Sequence, residues 1–283
     1  ICSLAAHRYM GNKLFLDRGL ISAEAQLRAF GADASRHVPH LAKFNAKTSR
    51  TRMDEHPHSG GCVLAAWLYT YGATGEQASL REALPMLDAM IDGFPRIRRY
   101  IISKTCESSR FLLPLALAWH YTREPRYRQA LEEHAAYLRS RMAPCGAIRE
   151  DGSNTGTDVE GGDLGLSHNG QETVSDQLYT TSFAAMNFWI AYKATGDRIY
   201  LEDFHRVADY LARIQIESAD RMIDGGWMRG FDYTLWEYYG SNADQWWSAY
   251  VMETGWQNAI IDIALALYLM DDPFFVPRLP TIP

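Results

Sequence analysis

The sequence predicts an all-α fold, an (α/α)n toroid of helical hairpins, and three observations carry that prediction. The first is an alternation of helix types. Residues 199–217 place Tyr200, Phe204, Val207, Ala208, Leu211 and Ile214 on one face, with Glu202, Asp203, Arg206 and Arg213 elsewhere. That pattern is a surface helix with one buried stripe, and 78–92 and 126–142 read the same way. In contrast, 58–71, 106–121, 176–193 and 253–270 are apolar on nearly all sides, as helices buried all round are. A stretch around 22–47 is expected to add one more outer helix.

The second observation is an asymmetry of loop lengths. Connections after the apolar helices are short (72–77, 122–125, 194–198), and those before them are long (48–57, 93–105, 143–175, 218–252). In a ring of hairpins the long loops gather at one end, together with the partly positive N-termini of the inner helices. The third is a weak internal repeat in which Tyr71, Tyr121, Tyr192 and Tyr268 hold comparable places, each in an aromatic-rich apolar run before a turn. No run of period-two alternation argues for strands. The count is about eight helices, whereas a six-hairpin toroid needs twelve. The expectation is therefore a single toroid domain over 1–283, an incomplete part of an (α/α)6 barrel. An additional chain or domain would complete the ring.

Composition narrows the function. The 283 residues are 47% hydrophobic and 22% charged, with a net charge of −6, which excludes global disorder. No basic block stands out, which argues against nucleic acid, and no apolar run is long enough for a membrane span. Cys2, Cys62, Cys106 and Cys145 lie far apart, without the paired spacing of a zinc ribbon or a dithiol redox site. The chain begins at Ile1 rather than Met, as a trimmed product would, so a targeting signal is not visible.

The long loops hold the candidate chemistry. The glycine-rich loop 143–175 carries Glu150, Asp151, Asp158, Glu160 and Asp163. Its run from Asp151 suggests a calcium loop, but Gly162 stands where that pattern needs Glu, so a solvated loop is the plainer reading. The loop 218–252 is dense in aromatics, including Trp227, Trp236 and Trp246, interleaved with Asn242 and Asp244. Such rings either pack the loop down or stack on sugar rings, whose hydroxyls then need carboxylate and amide acceptors. Arg229 suits bidentate binding of a uronate carboxylate, or a local salt bridge. The inner-helix starts present His56, His58, Glu107, Arg110, Asp176 and Glu253. Asp176 also reads as an ordinary N-cap, in which case Asp176→Asn leaves folding intact. The convergence of four helix starts on one funnel lifts the set above these plainer readings.

The run Asp176-Gln177-Leu178-Tyr179-Thr180-Thr181-Ser182-Phe183, continuing through Tyr192-Lys193-Ala194-Thr195-Gly196-Asp197 to Tyr200, resembles the inner-helix segment of unsaturated glucuronyl and rhamnogalacturonyl hydrolases. The resemblance implies a six-hairpin glycosidase with Asp176 as general acid/base. Over 100–270, the runs Cys145–Glu150, Gly226–Asp232, Ser241–Asp244 and Glu253-Thr254-Gly255-Trp256 are also similar to large bacterial polysaccharide-utilisation proteins, including a β-glucuronidase family. The expected function is therefore hydrolysis of uronic-acid-containing glycans, with Asp176 first among the acids and Glu150, Glu107 and Glu253 next. His58, Arg110, Tyr179, Trp227, Arg229, Trp236, Asn242, Asp244, Trp246 and Trp256 would bind the carbohydrate substrate. This chemistry calls for no cofactor or metal and favours a periplasmic or secreted site. The rivals are a polysaccharide lyase using Tyr179 or His58 as base with Asn242 and Arg229 on the uronate, and a glycan-binding subunit without turnover.

Overall fold

A computed structural model describes residues 2–30, 57–97, 103–150, 173–239 and 248–274. About 71% of the described residues are helical. The α-helices are α1 (Cys2–Met10), α2 (Lys13–Phe30), α3 (Cys62–Thr74), α4 (Gln77–Gly93), α5 (Lys104–Thr122), α6 (Pro125–Ser140), α7 (Ser182–Thr195), α8 (Arg198–Ile214) and α9 (Ala259–Leu269). Wide π-helical turns at Pro57–Gly61, Gln177–Thr181 and Thr254–Asn258 lead into α3, α7 and α9. Two strands, β1 (Val174–Asp176) and β2 (Gly230–Asp232), pair antiparallel with Asp176 opposite Gly230. The sequence reading found no strand because three residues leave no room for an alternating pattern.

One two-residue turn closes three hairpins in the same way. The first turn residue is Gly75 (φ 75°), Arg123 (φ 59°) or Gly196 (φ 75°), all left-handed. Its N–H donates back to the carbonyl of Tyr71 (2.7 Å), Trp119 (2.9 Å) or Tyr192 (2.7 Å), which ends the helix. The preceding threonine braces both sides. The hydroxyls of Thr74, Thr122 and Thr195 donate to the carbonyls of Thr70, Ala118 and Ala191 at 2.8, 2.7 and 2.8 Å. The same oxygens accept the N–H of Glu76, Glu124 and Asp197 at 3.1, 3.2 and 3.1 Å. These are the short connections expected from the sequence.

The chain divides into two compact units. One comprises 1–97, 113–127 and 274–283. Here Leu64, Trp67, Leu68 and Tyr69 of α3 are buried, with Leu87 and Met90 of α4 and Leu4 and Leu16 of α1 and α2. Gly72 matters because the Tyr121 hydroxyl occupies the space a Cβ would need. That lets Tyr121 pack edge-on against Tyr71 at 5.5 Å. The expected outer helix around 22–47 corresponds to α2, which starts earlier, at Lys13, and is described to Phe30.

The other unit comprises 98–112 and 128–273. In α7, Ser182 to Ala191 are all buried, as expected of an inner helix. In α8 the buried stripe is Tyr200, Phe204, Val207, Tyr210, Leu211 and Ile214. Burying each large apolar side chain stabilises by roughly 1.5–3 kcal/mol. Asp203, assigned by periodicity to the solvent side, is instead buried, and Arg139 of α6 meets its carboxylate at 2.9 Å. The expectation that α9 is buried all round also needs correcting. Only Ile261, Ala264 and Leu267 are buried there, while Ile263, Tyr268 and Leu269 are exposed. Apolarity all round permits full burial, but burial requires neighbours on every side.

Candidate active site

Asp176 ends β1 and caps the turn Gln177–Thr181. Its Oδ1 accepts the N–H groups of Leu178 (2.8 Å) and Tyr179 (2.9 Å). Its Oδ2 accepts the Nε of Arg229, at 3.1 Å. Arg229 immediately precedes β2, so the strand pair that places Asp176 opposite Gly230 also delivers its ion-pair partner. Both side chains are fully buried. The Arg229 guanidinium lies 4.8 Å from the centre of the Tyr179 ring.

Glu150 is the second buried carboxylate. Its N–H donates to the Val174 carbonyl at 3.0 Å, which anchors it beside β1. Three hydroxyls converge on its side chain. Ser103 and Thr105 (2.7 Å) donate to Oε1, and Thr180 (2.8 Å) donates to Oε2. Burial, followed by the charge of Asp176, raises the Glu150 carboxyl to about 7, and the three hydroxyl donors oppose that rise. The result is a pair of interacting carboxylates with unlike surroundings. One is gripped by hydroxyls; the other meets two backbone N–H groups and a guanidinium.

A path of rings leads from this pair toward the surface. The Arg110 guanidinium, on α5, lies 4.1 Å from the Phe183 ring centre and 5.7 Å from those of Tyr179 and Trp256. Tyr179 and Trp256 meet edge to face at 6.3 Å. Trp256 is 41% exposed, whereas Tyr179 and Arg110 are buried. Within this unit the starts of α5, α7 and α9 thus come together.

The remaining sequence candidates fall in several places. Glu107 is fully buried in the first turn of α5. Glu253 is half-buried, and its carbonyl accepts the N–H groups of Trp256 and Asn258, both at 3.3 Å. Trp227 is buried and donates from Nε1 to the Leu211 carbonyl at 2.8 Å, which is a packing role. Trp236 is 43% exposed at a left-handed φ of 58°. It rests edge-on against Phe231 at 5.3 Å, with the Arg213 guanidinium 5.4 Å from its ring. His58 belongs to the other unit, in the turn ahead of α3. Asn242, Asp244 and Trp246, and the calcium-like run from Asp151, lie outside the described residues.

Sequence reasoning missed Ser103, Thr105, Thr180 and Phe183. The available signal was a polar run, Ser103 to Arg110, opening a helix otherwise read as buried. Hydroxyl groups in such a place need partners. No group of His, Cys, Asp and Glu residues able to hold a metal occurs among the described residues. No described helix is long and apolar enough to cross a membrane.

No protein-family model and no curated protein matches the sequence. Among solved structures, the chain is similar to the unsaturated glucuronyl hydrolase of Streptococcus agalactiae. The TM-score is 0.59 at 12% identity, covering 95% of this chain and 59% of that one. A variant of that enzyme matches with a TM-score of 0.61 at 12% identity, over 99% of this chain and 61% of the other. The unsaturated glucuronyl hydrolase of Bacillus sp. GL1, described as responsible for the degradation of glycosaminoglycan, gives 0.55 at 13% identity, over 93% and 63%. The chain spans about three fifths of the length of these proteins. Such likeness establishes the fold class, an all-α toroid of helical hairpins, as the alternation of helix types predicts.

Proposed function

We propose that the protein is a glycoside hydrolase acting on uronic-acid-containing oligo- or polysaccharides by carboxylate general acid/base catalysis. The supporting observation is the buried pair Glu150–Asp176, with unlike donor environments, beside an arginine–aromatic path that reaches the surface at Trp256. Glu150, whose carboxyl is pushed up by burial and by the neighbouring Asp176, takes the general-acid role here in place of Asp176, which the sequence context puts first. It protonates the departing glycosidic oxygen. Asp176, bonded to Arg229, stabilises an oxocarbenium-like transition state or activates the attacking water. Arg110, held between aromatic rings, binds the uronate carboxylate, and Tyr179 and Trp256 offer faces to the sugar.

The test is turnover of aryl glucuronides and unsaturated uronyl oligosaccharides by the wild type, Glu150→Gln, Asp176→Asn, Glu107→Gln and Glu253→Gln. Glu150→Gln is expected to lower kcat by about 10²–10⁴. Full activity in that variant, with loss in another, moves the acid role to the other residue. A second reading, glycan binding without turnover, draws on the complete burial of both carboxylates among protein donors. Calorimetric binding of the same oligosaccharides with no product formed would support it.

A further inference from the structure

We propose that Thr180 is a positioning residue that fixes Glu150 against Asp176 through the turn Gln177–Thr181. The proposal rests on the glycosidase reading above. A single five-residue turn grips both carboxylates. The N–H groups of Leu178 and Tyr179 hold Asp176 Oδ1 at 2.8 and 2.9 Å, and one residue further on the Thr180 hydroxyl holds Glu150 Oε2 at 2.8 Å. The other two hydroxyls on Glu150 come from Ser103 and Thr105, at the start of α5. They secure Oε1 to a different element. Thr180 is the donor that belongs to the same turn as the Asp176 cap.

Two further features fit a positioning role. The turn is π-helical, a wide turn that recurs at functional sites. In the turns that open α3 and α9, the fourth residue is Gly60 or Gln257 rather than a threonine, so the hydroxyl is not a requirement of the turn itself. A hydroxyl also suits a group whose proton comes and goes. It donates to the carboxylate and accepts from the carboxylic acid, so Glu150 is held in both states.

The experiment follows the Glu150 carboxyl by 13C NMR titration in the wild type, Thr180→Val, Thr180→Ala and Thr180→Ser. It is paired with the pH dependence of kcat/KM on unsaturated uronyl oligosaccharides. Removing a donor to the charged form is expected to move the Glu150 midpoint up by about one pH unit in the Val and Ala variants. The alkaline limb of kcat/KM moves with it, and kcat falls about tenfold as the acid loses its fixed orientation. Thr180→Ser restores all three. Thr180→Ala is measured beside Thr180→Val because it removes the same donor without placing a new methyl against the turn. An unmoved Glu150 midpoint in the folded Val or Ala variant, or a Ser variant that behaves like Val, overturns the proposal. Absence of turnover in the wild type overturns the glycosidase reading instead, and the titration alone then decides the role of Thr180.

Discussion

Arg229 has no exposed surface, and its Nε donates to Asp176 Oδ2 at 3.1 Å. This changes what the cap substitution does. Asn replaces Asp well at a helix N-terminus, so from sequence alone Asp176→Asn is expected to be harmless to folding. In the structure the same change removes the anion facing a buried guanidinium, and breaking a buried pair from one side destabilises by about 3–5 kcal/mol. Chemical denaturation of Asp176→Asn should show a loss of that size. Asp176→Asn combined with Arg229→Met should recover most of it, because the guanidinium that faced the lost anion is removed with it. A silent single mutant would mean the pair contributes nothing net. Asp176 was legible in the sequence because it precedes an apolar helix in a distinctive run. Glu150 was nameable but its burial was not, since a glycine-rich loop reads as solvated until β1 is seen to hold it. Thr180 was invisible as a partner, because its contact with Glu150 joins residues 30 apart.

The hairpin turns were the most legible elements. Gly75 and Gly196 end their helices in left-handed conformations with nothing within 4 Å of a Cβ added there, so only backbone strain opposes a side chain. Gly196→Ala should therefore destabilise by about 1 kcal/mol, read as a lower midpoint in urea. Gly146 is a sharper case. It has a φ of 96°, and an added Cβ would run into the Arg206 carbonyl on α8. Gly146→Ala combines strain with a backbone collision and should exceed the Gly196→Ala loss by about 1–3 kcal/mol. Equal losses at the two sites would refute that ordering. Periodicity located α3 to α9 to within a few residues, except at the starts of α7 and α9, where the apolar pattern runs on through the wide turns Gln177–Thr181 and Thr254–Asn258 that precede the helices. It could not place Asp203, whose burial depends on Arg139 from another helix. Nor could it anticipate the exposed face of α9, because a periodic pattern says nothing about how many neighbours a helix has.

At the scale of the whole molecule, two buried groups give stability opposite dependences on pH. Glu150 is raised from 4.5 to about 7 by burial and by Asp176. Its folded-state preference for the proton adds stability that is fully present below 4.5 and is lost as pH rises through 7, a term of about 3 kcal/mol. His134, buried near Lys104, is lowered from 6.5 to about 3, with its Nδ1 3.2 Å from the Ser108 hydroxyl oxygen. Its preference for the neutral ring adds stability that is present above 6.5 and is lost as pH falls toward 3. Between about pH 4.5 and 6.5 the unfolded chain binds the histidine proton that the fold rejects, while the fold keeps the Glu150 proton that the unfolded chain releases. The two slopes oppose each other there, and their sum is nearly flat. Removing either group should expose the other. Tm of Glu150→Gln should rise with pH across that window, and Tm of His134→Gln should fall across it, with the wild type between them. Parallel curves for all three proteins, measured from pH 4 to 8, would show that neither group titrates differently in the fold. A change in the Glu150→Gln curve alone would confine the effect to the carboxylate pair.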